Sequence, residues 1–117
     1  MIPSRPLIVY VDVDDTLVRS AGSKRIPIPR VVAHIRDLAA GGAKLYCWST
    51  VGAEYAQATA RELGIESCFV AFLPKPNVVI DDQTIVEWRR FVAIHPMSIE
   101  ARTVEQYWML IEGQTTG

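Results

Sequence analysis

The stretch IVYVDVDDTL, residues 8–17, decides the fold because an apolar run ends abruptly at three acids and a threonine. An apolar run bounded by Pro6 on one side and by charge on the other indicates a buried strand of a parallel sheet. Asp12 and Asp14 then stand at the carboxyl end of the strand, which faces the ligand crevice in open α/β sheets. Carboxylates this close repel one another, and a divalent cation with oxygen ligands removes that conflict.

The acidic run has two other interpretations. A calcium loop counted from Asp12 needs glycine at its sixth position and glutamate at its twelfth, where this chain has Leu17 and Ser23. That interpretation is therefore disfavoured. A solvated acidic turn, or a helix cap formed by Asp14 and Asp15, stays open on this motif alone.

The composition is typical of one soluble globular domain, which we expect to span residues 1–117. The chain has 117 residues and a mass of 13.0 kDa, enough to bury about two-thirds of its unfolded surface. Half of the residues are apolar and 21% are charged, which excludes the disordered and fibrous classes. The net charge is −1 and the basic residues are scattered, so a nucleic-acid partner is unsupported.

The cysteines and the apolar runs predict a cytoplasmic protein with no membrane partner. Cys47 and Cys68 lie inside apolar runs and are expected to be small buried residues, as suits a reducing compartment. No apolar run approaches the roughly 20 residues that cross a bilayer, and the first residues lack a signal-peptide core.

Strand-like and helix-like segments alternate along the chain, which is typical of an α/β protein. A polar loop or small hairpin over 18–28 is followed by a helix that begins at Pro29 and ends at Gly41-Gly42. His34 falls off the apolar stripe of this helix and is expected to be partly exposed. The later predicted elements are strands at 43–48, 68–73, 77–80 and 91–94, and helices at 53–63, 84–90 and, capped by Ser98, 98–111.

Polar groups follow four of these predicted strands. They are Asp12 and Asp14, then Ser49, then Lys75, then Asp81 and Asp82. Acids that bind a metal, a hydroxyl donor and a lysine in one crevice indicate a site for a phosphoryl group. Taken singly, Ser49 is equally well explained as a helix N-cap, and Lys75 as a solvated surface lysine.

In this order the motifs resemble the four motifs of the haloacid dehalogenase-like (HAD) hydrolase superfamily. The resemblance spans residues 8–82 and is carried by Asp12-Val13-Asp14-Asp15-Thr16-Leu17, Ser49, Lys75-Pro76 and Asp81-Asp82. It implies an α/β fold, a Rossmann-like three-layer sandwich with a mostly parallel central sheet and no cap domain. The chain departs from many members of the superfamily at Asp15, where they have glycine.

The resemblance also implies a role for each site residue. Asp12 would be the nucleophile and Asp14 the general acid and base, while Ser49 and Lys75 would bind the phosphoryl group. Mg²⁺ would be held by Asp12, by the main-chain carbonyl of Asp14 and by Asp81. Asp82 would help, either directly or through water.

The expected function is that of a Mg²⁺-dependent phosphomonoesterase that works through an aspartyl-phosphate. The alternative is a HAD-like scaffold that binds a phosphorylated ligand or protein partner with little turnover. A phosphoacceptor receiver domain is disfavoured because Lys75-Pro76 precedes Asp81. Without a cap the crevice would be open to macromolecular phosphorylated substrates, and a second subunit could help to close it.

Overall fold

The computed structural model describes residues 5–116, with side chains to residue 113. Its strands are β1 (Ile8–Asp12), β2 (Val18–Ala21), β3 (Lys24–Pro27), β4 (Lys44–Ser49) and β5 (Phe69–Pro74). Its helices are α1 (Pro29–Ala40), α2 (Ala53–Glu62) and α3 (Val104–Thr116). Single 3-10 turns lie at Glu66–Cys68, Ile85–Glu87 and Pro96–Ser98.

A three-stranded parallel sheet in the order β1-β4-β5 forms the centre of the fold. In its register Asp12 lies beside Trp48, and Ser49 lies beside Pro74. The helices α1 and α2 are the crossovers between these strands, as parallel neighbours require. The predicted α/β class with a parallel sheet is therefore confirmed, and the carboxyl ends of all three strands meet at one edge.

One face of the sheet carries the core and the other is largely open. Val11, Leu45, Cys47 and Phe69 are buried together with apolar residues of α1 and α2. The side chains that alternate with them point to the other face, where Ile8 is 54% and Tyr10 46% exposed. The described residues show the parallel sheet and helices packed into its core, which is consistent with a Rossmann-like α/β fold.

Local sequence signals correctly predicted the elements between β1 and β5. Residues 18–28 contain the antiparallel β2–β3 hairpin, and α1 begins at Pro29 as predicted. After α1 the chain turns at Gly42, whose φ of +92° favours glycine. Gly41 lies close to α3, since a Cβ there would lie 3.2 Å from Val104 Cγ2 and that side chain would have to shift by a few tenths of an ångström.

Two predicted strands are wrong. Residues 77–80 and 91–94 pair with no other strand in the described chain, and Val78 and Ile80 are 76% and 98% exposed. The predicted helix at 84–90 shortens to the single turn Ile85–Glu87. A short apolar run becomes a strand only where a sheet edge satisfies its backbone, and periodicity cannot reveal whether one is present.

The last helix begins later than predicted, at Val104, and extends to Thr116. Its cap is Thr103 instead of Ser98, which lies in the turn Pro96–Ser98. The Gln106 amide donates to Thr103 Oγ1 (3.2 Å), and the Thr103 amide donates to Gln106 Oε1 (2.9 Å). This reciprocal capping box satisfies two amides at the helix end. No helix in residues 5–116 has the length and apolar character that a bilayer crossing requires.

His34 is buried, not partly exposed as predicted, because α3 covers that side of α1. Its side chain is 5% exposed and its Nε2 lies 2.7 Å from the Tyr107 hydroxyl, while its Nδ1 is buried without a hydrogen-bond partner. Burial lowers the pKa of His34 below its ordinary value, Asp37 partly opposes this shift, and Arg102 adds to it. The neutral imidazole thus joins α1 to α3.

We expect the free energy of unfolding to decrease as the pH falls from about 7.5 to about 5, because the unfolded chain protonates His34 more readily than the folded one. Urea unfolding at both pH values measures this. His34→Gln should remove most of the decrease, while His95→Gln, at an exposed position, should keep it. An unchanged pH dependence in His34→Gln would show that this contact is not the cause.

Candidate active site

Asp12 and Lys75 form an ion pair across the carboxyl edge of the sheet. Lys75 Nζ lies 3.1 Å from Asp12 Oδ1, and both side chains are about one-third exposed. Lys75 directly follows β5, and its amide donates to the Ser49 carbonyl (2.9 Å). The end of the middle strand therefore fixes the backbone that carries the lysine.

The turn after β1 holds the second carboxylate oxygen of Asp12. The amides of residues 16–18 all donate to the Val13 carbonyl, at 2.9–3.3 Å. This tight turn places the Thr16 hydroxyl 3.2 Å from Asp12 Oδ2, to which it donates. Asp15 adopts a φ of +60°, a conformation that glycine reaches without strain. Asp12 is thus oriented at both oxygens while staying accessible.

Asp14 is exposed and contacts α2. The Tyr55 hydroxyl donates to Asp14 Oδ1 (2.7 Å), and burial followed by this hydrogen bond raises the pKa of Tyr55. Arg25 of the hairpin lies with its guanidinium 4.9 Å from the centre of the Tyr55 ring and donates to Thr59 Oγ1 (2.7 Å). The hairpin is thereby anchored to the helix that contacts Asp14.

Ser49 is buried at the end of β4, with 1% exposure. Its Oγ accepts from the Val51 amide (3.0 Å). The N-cap of α2 is Gly52, so the N-cap interpretation of Ser49 is wrong and the serine stabilises the turn before the helix. A hydroxyl that accepts one hydrogen bond can still donate another, so this role is compatible with binding a phosphoryl oxygen.

Cys47 lies on β4 beside Val11 of β1 and is not a reactive thiol. Its side chain is fully buried in the core. Burial, followed by the charge of Asp12, raises the pKa of the Cys47 thiol to about 12. The thiol therefore stays protonated near neutral pH, and the reactive thiolate is not formed.

Asp81 and Asp82 form no metal site with Asp12 and Asp14 among the described residues. Both are exposed in the segment after β5, and within residues 5–116 no three His, Cys, Asp or Glu side chains gather as a metal site. A hydrogen bond shared with Asp82, followed by one from the Gln83 amide, lowers the pKa of Asp81. The carboxylates at β1 are ligands that suit Mg²⁺, and the other two predicted ligands lie in the exposed segment after β5.

Sequence reasoning missed Tyr55 and Arg25. Each reaches its partner over a long separation, 41 residues from Tyr55 to Asp14 and 34 from Arg25 to Thr59. One signal was available for Tyr55, which lies in the first turn of the helix predicted after Ser49. The amino end of such a crossover helix lies at the edge of the sheet where the preceding strand ends.

Comparisons of the chain with protein-family models, with curated proteins and with solved structures found no match.

We expect Arg25→Met to loosen the β2–β3 hairpin, because Arg25 joins it to Thr59 and Tyr55. Hydrogen exchange of the amides of residues 18–26 should become several-fold faster, since such contacts contribute about 1 kcal/mol each. Arg19→Met, at an exposed position in the same hairpin, is the matched control and should leave exchange unchanged. Equal exchange in both variants would contradict the anchoring role.

Proposed function

We propose that this protein is a HAD-like, Mg²⁺-dependent phosphohydrolase that cleaves phosphomonoesters through an aspartyl-phosphate on Asp12. One observation carries the proposal: the Asp12 carboxylate is oriented by Lys75 on one oxygen and by Thr16 on the other, at the ligand-binding edge of a parallel sheet. A carboxylate that is oriented in this way and is still accessible is better suited to nucleophilic attack than to a purely structural role.

The reaction has two steps. A carboxylate oxygen of Asp12 attacks phosphorus, the bond from phosphorus to the ester oxygen breaks, and Asp14 gives the leaving oxygen its proton. Asp14 then takes a proton from water, and the resulting attack on phosphorus releases inorganic phosphate and restores Asp12. The exposed position of Asp14 supports this role, because both the leaving group and water can reach it.

Lys75 and Ser49 would bind the transferring phosphoryl group. The ammonium of Lys75, already beside Asp12, would offset the negative charge that the phosphoryl group brings to the carboxylate. The Ser49 hydroxyl, fixed by the Val51 amide, would donate to a phosphoryl oxygen. The Lys75 ammonium is beside Asp12 before a substrate binds, whereas the Ser49 hydroxyl is buried and would have to become accessible to the phosphoryl group.

Mg²⁺, when bound, would neutralise charge on the phosphoryl oxygens. Asp12 and the main-chain carbonyl of Asp14 would hold it from the β1 side, with Asp81 as the third protein ligand and Asp82 in support. Asp81 lies in an exposed segment that pairs with no strand among the described residues, so the sheet that carries Asp12 does not fix its position.

The exposed position of Asp81 favours a second candidate function. If Asp81 stays away from the site, the chain would be a HAD-like scaffold that binds a phosphorylated ligand or protein through Lys75 and Ser49 with little turnover. Tight binding of phosphate esters without release of phosphate would distinguish this candidate from the enzyme.

The setting of the proposed enzyme is the cytoplasm. Both cysteines are free, and Cys47 is buried in the core, which suits a reducing compartment. The partner that we propose is a phosphorylated substrate, which can be macromolecular where the crevice is open. An oligomer that closes the crevice is compatible with this arrangement.

We expect Asp12→Asn to abolish phosphate release from a panel of phosphomonoesters in the presence of Mg²⁺, by roughly 10³-fold or more, because an amide cannot attack phosphorus. Circular dichroism should show an intact fold. Asp15→Asn, in the same turn, is the matched control and should retain activity. Retained activity in Asp12→Asn would refute the nucleophile assignment.

We expect Asp81→Asn to raise the Mg²⁺ concentration needed for half-maximal phosphate release roughly tenfold, because it removes one charged ligand. Glu87→Gln, in the same exposed region, should leave the Mg²⁺ titration unchanged. An unchanged titration in Asp81→Asn would show that Asp81 is not a Mg²⁺ ligand. The role of Asp12 is tested separately by Asp12→Asn.

A further inference from the structure

The open face of the sheet carries three aromatic side chains, Tyr10, Tyr46 and Trp48, of which Tyr10 contacts the other two; we call them the aromatic cluster. The Tyr10 and Tyr46 rings are stacked with centroids 5.1 Å apart, and Trp48 meets Tyr10 edge to face at 4.8 Å. Tyr10 is 46% exposed and the other two are half-buried. Parallel sheets normally have both faces covered, so an open face that carries three aromatic rings suggests a surface that binds an occupant.

The aromatic cluster begins at the proposed nucleophile. Trp48 is the register partner of Asp12 across β1 and β4, and both side chains belong to the same face of the sheet. Lys75 connects the two, because its Nζ lies 3.1 Å from Asp12 Oδ1 and 5.9 Å from the centre of the Trp48 ring. A phosphate ester bound beside Asp12 and Lys75 would thus lie next to the aromatic cluster.

The chemistry of this surface selects a planar ring. Indole and phenol rings offer π-faces and edges on which a nucleobase or an aryl group stacks, and a ligand without a planar ring lacks that stacking contact. The charge around the aromatic cluster favours a small ligand. The chain has a net charge of −1 and no broad basic surface, so the backbone of a polynucleotide would find little electrostatic support.

We propose that the preferred substrates are phosphomonoesters whose leaving group contains a planar aromatic ring, which stacks on the aromatic cluster. The inference rests on the proposed function and deepens it by naming the substrate class. Two sources share this chemistry, a nucleoside monophosphate and a simple aryl phosphate, and the experiment distinguishes them.

The test compares kcat/KM for adenosine 5′-monophosphate, phenyl phosphate and ribose 5-phosphate, the last of which has the phosphate and sugar without the ring. The wild type should prefer at least one of the ring-bearing esters over ribose 5-phosphate. Trp48→Leu should lower that preference about tenfold, the size expected for the loss of one stacking contact. Phe91→Leu, an exposed aromatic position outside the aromatic cluster, is the control and should keep the preference.

A second variant keeps the test decisive if Trp48→Leu fails to fold. Tyr10 is more exposed, and Tyr10→Leu should lower the preference in the same direction. No preference in the wild type, or equal preferences in the wild type and both variants, would overturn the inference. The rings would then be covered by another surface, such as the exposed apolar residues Val78 and Ile80 or a second copy of the chain.

Failure of the proposed function would be recognised separately. If the wild type hydrolyses none of the three esters, the phosphohydrolase proposal fails. Calorimetric titration of the wild type with adenosine monophosphate and with ribose 5-phosphate then tests the aromatic cluster alone. Tighter binding of the nucleotide that is lost in Trp48→Leu supports stacking, whereas equal affinities or no binding of the nucleotide contradict it.

Discussion

The register of the parallel sheet is the constraint on which the candidate site depends. Asp12 ends β1, Ser49 ends β4 and Lys75 follows β5, and the parallel pairing brings these three ends to one edge. The ion pair between Lys75 and Asp12 is partly exposed, and such pairs contribute only about 0–1 kcal/mol to stability. The position of this ion pair is therefore better explained by a binding site than by a contribution to the stability of the fold.

Much of the fold could be predicted because its signals are local. The run at 8–12, Pro29 at the start of α1 and the glycines that follow α1 each act within a few residues of their position. The runs at 77–80 and 91–94 look equally strand-like, but strand formation depends on a partner elsewhere in the chain. His34 was misjudged for the same reason, since Tyr107, 73 residues away, determines its surroundings.

The site residues likewise fall into those that local sequence signals predict and those that depend on contacts between distant elements. Asp12, Ser49 and Lys75 could be placed from strand ends alone, because parallel topology determines where those ends meet. Tyr55 and Arg25 could not, because their contacts with Asp14 and Thr59 join distant elements. Asp15 differs from these residues because its unpredicted feature is local. Its backbone is left-handed, with a φ of +60°, which glycine would adopt without strain, and the sequence does not reveal that conformation.

The most direct test of the account is to trap the covalent intermediate. The protein would be mixed with a hydrolysed phosphomonoester in the presence of Mg²⁺, quenched in acid during turnover, and treated with borohydride, which reduces an acyl phosphate to an alcohol. Mass spectrometry of the peptides should then show Asp12 converted to homoserine, with Asp14 and Asp15 unchanged. Turnover without modification of Asp12, or with modification at another acid, would contradict Asp12 as the nucleophile.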